Sequence, residues 1–252
     1  MESVRLLINS YFRYDALIQK EFVVEPFAVE HFFDLSSFAH RELFEGITFV
    51  WQALEKIEGY LAKSVLGKNY SSKQEYAYFV NPETISIGPG TIVEPGAYIK
   101  GPCIIGANCS IRHGAYLRGN VIVGDHCVIG HTTEMKQTIM LNHANAAHFA
   151  YVGDSILGNH VNLGAGTKCA NLRFNGEPIT VRFGEESIAT GLRKFGAIIG
   201  DYTQIGCNVV TNPGTVIGKQ VQCYPSLNFG GVIPERSAVK PKTRAVISET
   251  II

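Results

Sequence analysis

Large aliphatic residues recur every six positions through the middle of the chain. Steps of six from Ile87 reach Ile87, Val93, Ile99, Ile105, Ile111, Leu117, Val123, Ile129, Met135, Leu141 and Ala147. A helix would place its apolar residues at steps of three and four instead. The fixed step of six predicts short strands joined by regular corners, with one aliphatic side chain per strand pointing inward. The spacing returns later in the chain, at Ile199, Ile205, Thr211, Ile217, Cys223 and Phe229.

Small residues accompany this repeat. The position two before each aliphatic residue holds Ala97, Cys103, Cys109, Ala115, Val121, Cys127 and Thr133. Glycine often follows the aliphatic residue, as at Gly88 and Gly106, which suits a corner where the chain must bend closely. Three of the six cysteines therefore occupy inward positions, and no CxxC pair occurs in the sequence. We expect these three cysteines to be core residues rather than disulfide partners or metal ligands.

The repeat is interrupted once. Ala147 and Leu157 are ten residues apart where twelve would keep the register, and residues 171–197 lack the six-residue spacing. That segment contains Gly176, Pro178, Gly184 and Gly191. We interpret it as a loop or hairpin extruded from a repeat domain that covers residues 81–252. Loops held on rigid scaffolds commonly carry function.

Residues 1–80 follow a different pattern. One apolar stripe at steps of three and four runs through Phe44, Ile47, Trp51, Leu54, Ile57 and Leu61. This pattern predicts an amphipathic helix, with Ser36 or Ser37 as its cap. Residues 64–80 are polar and are expected to form a linker. The helical region is expected to pack on the repeat domain or on a neighbouring subunit.

Composition and charge narrow the function classes. The chain has 22 Lys and Arg against 22 Asp and Glu, which argues against general binding of nucleic acid or anionic membranes. No apolar run approaches the ~20 residues of a membrane span. Charged Arg5, Arg13 and Asp15 interrupt the amino terminus before a signal-peptide core could form. We therefore expect a soluble cytoplasmic protein.

Charged or polar residues replace glycine after several of the aliphatic positions. These are Glu94, Lys100, Arg112, Arg118, Lys136, Asn142 and His148. Residues 18 apart should stack on adjacent coils about 4.8 Å apart. Arg118 should thus lie above Lys136, and Arg112 two coils from His148. Either a bound anion such as a sugar phosphate relieves the repulsion, or Glu94 and Glu134 neutralise a solvated row.

Longer stretches of the sequence carry a resemblance. The segments GHTTEMKQT, ANAAHFAYVGDSILGNHVNLGAGTKCANLRF and TGLRKFGAIIG resemble the acetyltransferase domain of the bifunctional sugar-1-phosphate nucleotidyltransferase/acetyltransferases, over some 170 residues. The resemblance implies an all-β fold, a left-handed parallel β-helix with a small α-helical amino-terminal appendage, assembled as a homotrimer. It implies an N-acetyltransferase that moves acetyl from acetyl-CoA to an amino-sugar 1-phosphate, glucosamine 1-phosphate above all, on the route to UDP-N-acetylglucosamine.

By position, the resemblance assigns roles to six residues. His148 corresponds to the general base, and Asn171 to the asparagine beside the reacting amine and thioester. An imidazole is suited to accept the amine's proton at neutral pH. The residues that hold the substrate correspond to Arg112 and Lys136 on the phosphate and to Tyr151 and Asn162 on the sugar. The chemistry requires no metal.

The sequence departs from the family in its donor-binding and amino-terminal parts. It has no nucleotidyltransferase signature, so that activity is not expected. Leu172 follows Asn171 where bacterial members have tyrosine, and residues 177–180 replace downstream lysines. Basic groups for the coenzyme A phosphates are then expected from Arg182, Arg193 and Lys194, with Cys207 lining the coenzyme groove.

Three further functions remain open from the sequence. A γ-class carbonic anhydrase would use histidines five apart as zinc ligands, a spacing present in His126 with His131 and in His143 with His148. The Arg-x-Asp pattern of that family is absent, because Arg112 is followed by a histidine and a glycine. The second function is non-catalytic binding of sugar phosphates or nucleotide sugars. The third is acetyl transfer to a different amino sugar.

Overall fold

The structure is a computed structural model that describes residues 27–71 and 76–242. The predictions made for residues 1–26 and for the carboxyl-terminal tail lie outside these residues. Twenty-four short strands are present, in chain order: β1 Tyr78–Val80, β2 Ile85–Ile87, β3 Ile92–Val93, β4 Tyr98–Lys100, β5 Cys103–Ile105, β6 Ser110–Ile111, β7 Tyr116–Leu117, β8 Val121–Val123, β9 Val128–His131, β10 Glu134–Met140, β11 Asn145–His148, β12 Tyr151–Leu157, β13 Asn162–Leu163, β14 Lys168–Cys169, β15 Thr180–Phe183, β16 Glu186–Ala189, β17 Ala197–Ile199, β18 Gln204–Ile205, β19 Val210–Thr211, β20 Thr215–Ile217, β21 Gln222–Cys223, β22 Asn228–Phe229, β23 Val232–Ile233 and β24 Ala238–Val239.

The strands build a parallel β-helix with three faces. The first face runs β1-β4-β7-β10-β12-β14-β19-β22, and the third runs β3-β6-β9-β11-β13-β18-β21-β24. The second face contains β2, β5, β8, β17, β20 and β23, and it joins the first through the long strands β10 and β12. Each strand pairs in parallel with the strand one coil away. The predicted β-helix is therefore confirmed, and pairing already includes Tyr78–Val80, just before residue 81.

The inward aliphatic row follows the predicted spacing as far as Met135. The next predicted positions, Leu141 and Ala147, are wrong by one residue, because Met140 and Ala146 point inward instead. The step from Met135 to Met140 is five residues, and the step from Val152 to Leu157 is again five. The coils shorten accordingly from 18 residues (Ile99 aligned with Leu117) to 17 (Met135 aligned with Val152).

A left-handed backbone turn makes each shortened corner possible. Gln137 and Asp154 have φ values of 47° and 49°, a conformation that few non-glycine residues adopt. The two residues are stacked, because their neighbours Lys136 and Gly153 are aligned. The Gln137 amide donates to the Leu54 carbonyl at 2.8 Å. The other stacked residue, Asp154, belongs to the site described below.

The small inward residues are confirmed as core. Cys103, Cys109 and Cys127 are buried and none forms a disulfide. Burial raises the pKa of the Cys103 thiol to about 12. The Cys127 thiol donates to the Leu141 carbonyl at 2.9 Å, so it satisfies a corner carbonyl in addition to filling space.

The amino-terminal region is less helical than its apolar stripe predicts. One α-helix, α1, spans Ala53–Lys63, and 3₁₀ turns occupy Val29–His31, Arg41–Phe44, Val50–Gln52 and, later, Pro82–Thr84. Gly46, at φ 64°, interrupts the stripe. The Gln52 side chain accepts from the Thr48 and Phe49 amides just before α1. The expected Ser36 or Ser37 cap is wrong, because the Ser37 carbonyl accepts from the Asn142 amide at 3.0 Å instead.

The amino-terminal region packs on the second face of the β-helix. That face presents outward aliphatic residues, which join the stripe in a second hydrophobic core: Ile122, Ile139, Ile156, Ile198 and Val216. Phe27, Trp51 and Phe195 are fully buried there. Burial of each such side chain is worth about 2 kcal/mol. Buried Asp201 adds a polar anchor, because its carboxylate accepts from the Asp34 amide at 2.7 Å.

Residues 171–197 leave the repeat and return to it. The strands β15 and β16 pair antiparallel as a hairpin within this segment. The Phe195 amide donates to the Asn171 carbonyl at 3.0 Å, which closes the base of the excursion. Ile179 and Val181 are buried in the second hydrophobic core. The hairpin is therefore held against the β-helix at both its base and its first strand.

Candidate functional site

Four polar side chains meet on the first face, at the second shortened corner. Lys136 comes from β10, Tyr151 and Asp154 from β12, and Asn171 from the end of the coil that contains β14. The Lys136 ammonium lies 2.7 Å from Asp154 Oδ2. The Asn171 amide nitrogen donates to the same carboxylate oxygen and also to Tyr151 Oη, at 3.1 Å. We call these four residues the face-one cluster.

The face-one cluster is tightly packed and largely out of water. The Asp154 side chain is 8% exposed and that of Lys136 is 18% exposed. Burial raises the pKa of Tyr151, while the hydrogen bond from Asn171 opposes that shift. A Cβ atom at Gly153 would lie 2.6 Å from Tyr151 Oη and 2.7 Å from Asn171 Nδ2. Glycine at this position is therefore required for the two side chains to meet.

The backbone of the excursion fixes the same cluster from behind. The Gly196 amide donates to the Asp154 carbonyl at 2.8 Å, and the Ala197 amide donates to Ser155 Oγ at 3.0 Å. Both ends of the 171–197 segment thus hydrogen-bond to this corner or to Asn171. The cluster is held by main-chain contacts as well as by its own side chains.

The cations on the first face each have their own carboxylate. The register places Lys136 beside Arg118, as predicted, since Met135 is aligned with Leu117. Arg118 forms an ion pair with Glu134 at 2.7 Å, and this hydrogen bond raises its pKa. The predicted unrelieved repulsion is therefore wrong. The sequence identified Glu134 as a neutralising partner but missed Asp154.

Glu94, the other carboxylate expected to neutralise the cations, has a different role. Its Oε2 accepts from the His113 backbone amide at 2.8 Å. Arg112, the nearest cation by sequence, is half-buried and forms no ion pair within the described residues. Arg112 thus differs from Arg118 and Lys136 in having no carboxylate partner there.

His148 lies at the corner between the third and first faces. It ends β11 and is exposed, shortly before β12 begins at Tyr151. Its backbone is aligned with His131, whereas Ala146 is aligned with Ile129. The predicted alignment of Arg112 with His148 is therefore wrong by one position, because the intervening coil has 17 residues instead of 18.

Arg112 and Asn162 lie on the third face. Arg112 directly follows β6, and Asn162 begins β13, where it is aligned with Asn145. The six residues that the resemblance assigned to substrate and catalysis therefore fall into two groups. Lys136, Tyr151 and Asn171 meet on the first face, while Arg112 and Asn162 lie on the third, with His148 at the corner between them.

The residues expected at the coenzyme do not converge. Cys207 is exposed in the corner after β18, and Lys194 is exposed near the end of the excursion. The Arg193 guanidinium donates to the Gly176 carbonyl at 3.4 Å. A groove of about 490 Å³ instead lies between the hairpin and the later coils. Its lining includes Arg173, Arg182, Asn212, Pro213, Gly214, Gly230 and Gly231.

The sequence pointed to only part of this groove. Arg182 was expected to meet coenzyme phosphates, whereas Arg173 was missed although it stands in the segment that carries the resemblance. The Arg173 guanidinium donates to the Pro178 carbonyl at 3.0 Å, which curls the start of the excursion around the groove. No signal in the sequence distinguishes Arg173 from Arg193, because both follow a leucine in a polar segment.

The histidines form two separate rows. The rings of His126, His143 and His160 stack at 4.8 and 4.6 Å between centroids, and burial with the neighbouring rings lowers the pKa of His143. His131 belongs to the other row, aligned with His148. The pairs five residues apart are thus divided between two rows. Across residues 27–71 and 76–242, no three His, Cys, Asp or Glu side chains converge as metal ligands. None of the described helices is long and apolar enough to span a membrane.

Comparison with known proteins identifies the same region of the chain. A family model described as the GMPPB C-terminal domain matches residues 99–187. A bifunctional sugar-1-phosphate nucleotidylyltransferase/acetyltransferase of Sulfurisphaera tokodaii is 39% identical over 37% of this chain and 23% of its own length. The bifunctional protein GlmU of Methanococcus aeolicus is 37% identical over 46% of this chain and 28% of its own. The chain thus spans about a quarter of these two relatives.

A third relative is matched over most of its length. The putative uncharacterized acetyltransferase YaiX of Escherichia coli K12 is 32% identical over 171 residues, which is 68% of this chain and 74% of that protein. The match therefore extends across most of both chains.

Proposed function

Because the chain belongs to the hexapeptide-repeat acetyltransferases, we propose that it transfers the acetyl group of acetyl-CoA to the amine of an amino-sugar 1-phosphate, with glucosamine 1-phosphate as the first acceptor to test. One observation carries this proposal. The face-one cluster joins a cation, a phenol and an amide through one buried carboxylate. It offers donors for sugar hydroxyls and phosphate beside an amide suited to orient an amine.

The proposed reaction is a direct transfer in which His148 acts as the general base. The acceptor amine attacks the thioester carbonyl while His148 takes one of its protons. A carbon–nitrogen bond forms, the carbon–sulfur bond breaks, and the thiolate of coenzyme A leaves. The imidazolium then returns the proton to that thiolate. Exposure of His148 at a corner leaves its ring accessible to both substrates.

Acceptor binding is assigned to two groups of residues. Lys136 uses one N–H on Asp154 and keeps two donors for phosphate oxygens. Arg112 supplies a guanidinium whose planar donors match a phosphate. Tyr151 and Asn162 contact the sugar hydroxyls in this proposal. Asn171 lies beside the reacting amine and thioester.

The position of these groups favours a site that is completed by a second copy of the chain. A corner of a three-sided β-helix is convex, so its two flanking faces point away from each other. One small ligand cannot contact Lys136 on the first face and Arg112 on the third face of the same copy. We therefore include a homotrimer in the proposal, in which the His148 corner of one copy faces the face-one cluster of the next.

Donor binding is assigned to the groove between the hairpin and the later coils. Arg173 and Arg182 offer positive charge there, and Gly214 and Gly230 let a ligand approach the main chain closely. Arg193, Lys194 and Cys207 remain proposed contacts at its margins. Phosphates of coenzyme A provide the negative charge that the two arginines require.

The test is thiol release from acetyl-CoA with three acceptors: glucosamine 1-phosphate, galactosamine 1-phosphate and free glucosamine. The proposal predicts turnover with at least one phosphorylated acceptor and a much higher KM for free glucosamine. Binding of these sugars without thiol release would favour a non-catalytic binding protein. Failure with all three acceptors, at saturating acetyl-CoA, contradicts the assigned substrate class.

A further inference from the structure

The geometry points to Asp154 as a positioning residue that fixes which atoms Lys136, Tyr151 and Asn171 turn toward the acceptor. The inference rests on the proposed function and adds a residue that sequence patterns left without a role. Asp154 is buried and its carboxylate faces two donors, Lys136 Nζ and Asn171 Nδ2. It touches neither the acceptor nor the donor directly and acts through these partners.

The carboxylate determines the orientation of the Asn171 amide. An ionised carboxylate accepts hydrogen bonds and donates none, so only the nitrogen of an amide can face it. Both hydrogens of that nitrogen are then used, one on Asp154 and the other on Tyr151 Oη. The Asn171 side-chain carbonyl oxygen has no hydrogen-bond partner within the described residues. It is left to accept a hydrogen bond from the acceptor amine.

The same contacts set the polarity of the other two side chains. Tyr151 Oη accepts from Asn171, so its own proton is free for a sugar oxygen. Lys136 keeps two donors beyond the one on Asp154. The cluster thus presents one acceptor and several donors. An acceptor molecule with an amine next to hydroxyl or phosphate oxygens matches that arrangement.

The backbone of Asp154 fits this positioning role. Its left-handed conformation, at φ 49°, turns the side chain back into the cluster. Aspartate and asparagine tolerate this conformation better than most residues. The Gly196 amide holds its carbonyl at 2.8 Å. The variant Asp154→Asn therefore keeps the shape and backbone preference of the residue while it removes the charge that orients Asn171.

The first test compares Asp154→Asn with wild type in thiol release with glucosamine 1-phosphate. We expect kcat to fall about 10- to 100-fold, the range for loss of a residue that orients a functional group, with the KM for acetyl-CoA unchanged. The control is Glu134→Gln, which removes the exposed carboxylate of the Arg118 ion pair on the same face and should stay within about twofold of wild type. Wild-type kcat in Asp154→Asn overturns the inference.

A double variant separates positioning from a general structural effect. If Asp154 acts through Asn171, adding Asp154→Asn to Asn171→Ala should lower kcat little further, because the oriented group is already missing. Losses that multiply in the double variant overturn a role exerted through Asn171.

Nuclear magnetic resonance with selectively labelled asparagine tests the geometry without turnover. The Asn171 side-chain amide is assigned from its absence in Asn171→Ala. Both of its protons should exchange slowly with water in wild type, and at least one should exchange faster in Asp154→Asn. If wild type acetylates no acceptor, the proposed function is wrong and this comparison alone decides the positioning role. Unchanged exchange of both protons in Asp154→Asn then overturns it.

Discussion

Replacement of Gly153 by alanine tests whether the face-one cluster is the reacting site. The added methyl would lie 2.6 Å from Tyr151 Oη and 2.7 Å from Asn171 Nδ2. Ordinary carbon contacts begin near 3.5 Å, so each polar group must retreat by about 0.9 Å. Both groups are ends of side chains, so the fold can absorb the change while the 3.1 Å bond between them is lost.

A misplacement of this size near reacting groups costs about 100-fold in rate. We therefore expect kcat/KM of Gly153→Ala to fall about 100-fold in acetyl transfer to glucosamine 1-phosphate, equivalent to about 2.7 kcal/mol. Far-ultraviolet circular dichroism should show an unchanged fold.

The matched control for this variant is Gly59→Ala. A Cβ at this position in α1 meets nothing within 4 Å. It should leave kcat/KM unchanged and raise the free energy of unfolding by up to about 1 kcal/mol. A folded Gly153→Ala protein with wild-type kcat/KM would refute the placement of the reaction at this cluster.

Three other contacts can be tested in the same way. Lys136→Ala should raise the KM for glucosamine 1-phosphate about tenfold or more and leave that for free glucosamine nearly unchanged, because a charged hydrogen bond to phosphate is lost; equal shifts for both acceptors in steady-state assays contradict a phosphate contact. Arg173→Ala and Arg182→Ala should each raise the KM for acetyl-CoA several-fold, since both line the groove assigned to the donor, with Arg236→Ala as an exposed arginine control outside it; an unchanged KM in both variants removes the donor from this groove. Burial raises the pKa of Asp201, so the folded state binds that proton at a higher pH than the unfolded chain does, and the stability it contributes is greatest below the unfolded value of about 4 and declines as pH rises through the folded pKa; urea unfolding from pH 4 to 7 should show this decline in wild type and less of it in Asp201→Asn, and parallel profiles for the two proteins contradict it.

The β-helix could be predicted from sequence because its core demands one aliphatic residue per strand. That demand is local and periodic, so Ile87 through Met135 could be placed without any knowledge of contacts. The shortened corners could not be predicted in the same way. They depend on Gln137 and Asp154 adopting a left-handed conformation, which is a property of the folded corner rather than of a residue class.

The amino-terminal helix shows a second limit of sequence patterns. The apolar stripe indicated which side chains are buried, and Trp51, Leu54 and Ile57 are buried as expected. A stripe at helical spacing does not require a continuous helix, because separate 3₁₀ turns can present the same side chains. Gly46 and the side-chain contacts of Gln52 determine that α1 starts only at Ala53.

The site was predictable in its members but not in its electrostatics. Lys136, Tyr151 and Asn171 were assigned through the resemblance, and the structure brings them together. Asp154, which joins them, stands in the sequence as one aspartate among many. One usable signal is its position directly after Gly153, where glycine followed by aspartate marks a tight turn beside a candidate sugar-binding tyrosine.

The most direct test of the proposed activity is transfer of an isotopically labelled acetyl group from acetyl-CoA to glucosamine 1-phosphate, with the product identified by nuclear magnetic resonance. We expect a labelled amide on the sugar nitrogen with wild type and loss of most of the rate with His148→Ala, whose exposed side chain can be removed without loss of core packing. Absence of labelled amide with wild type, or an undiminished rate with folded His148→Ala, would contradict the proposed activity and its general base.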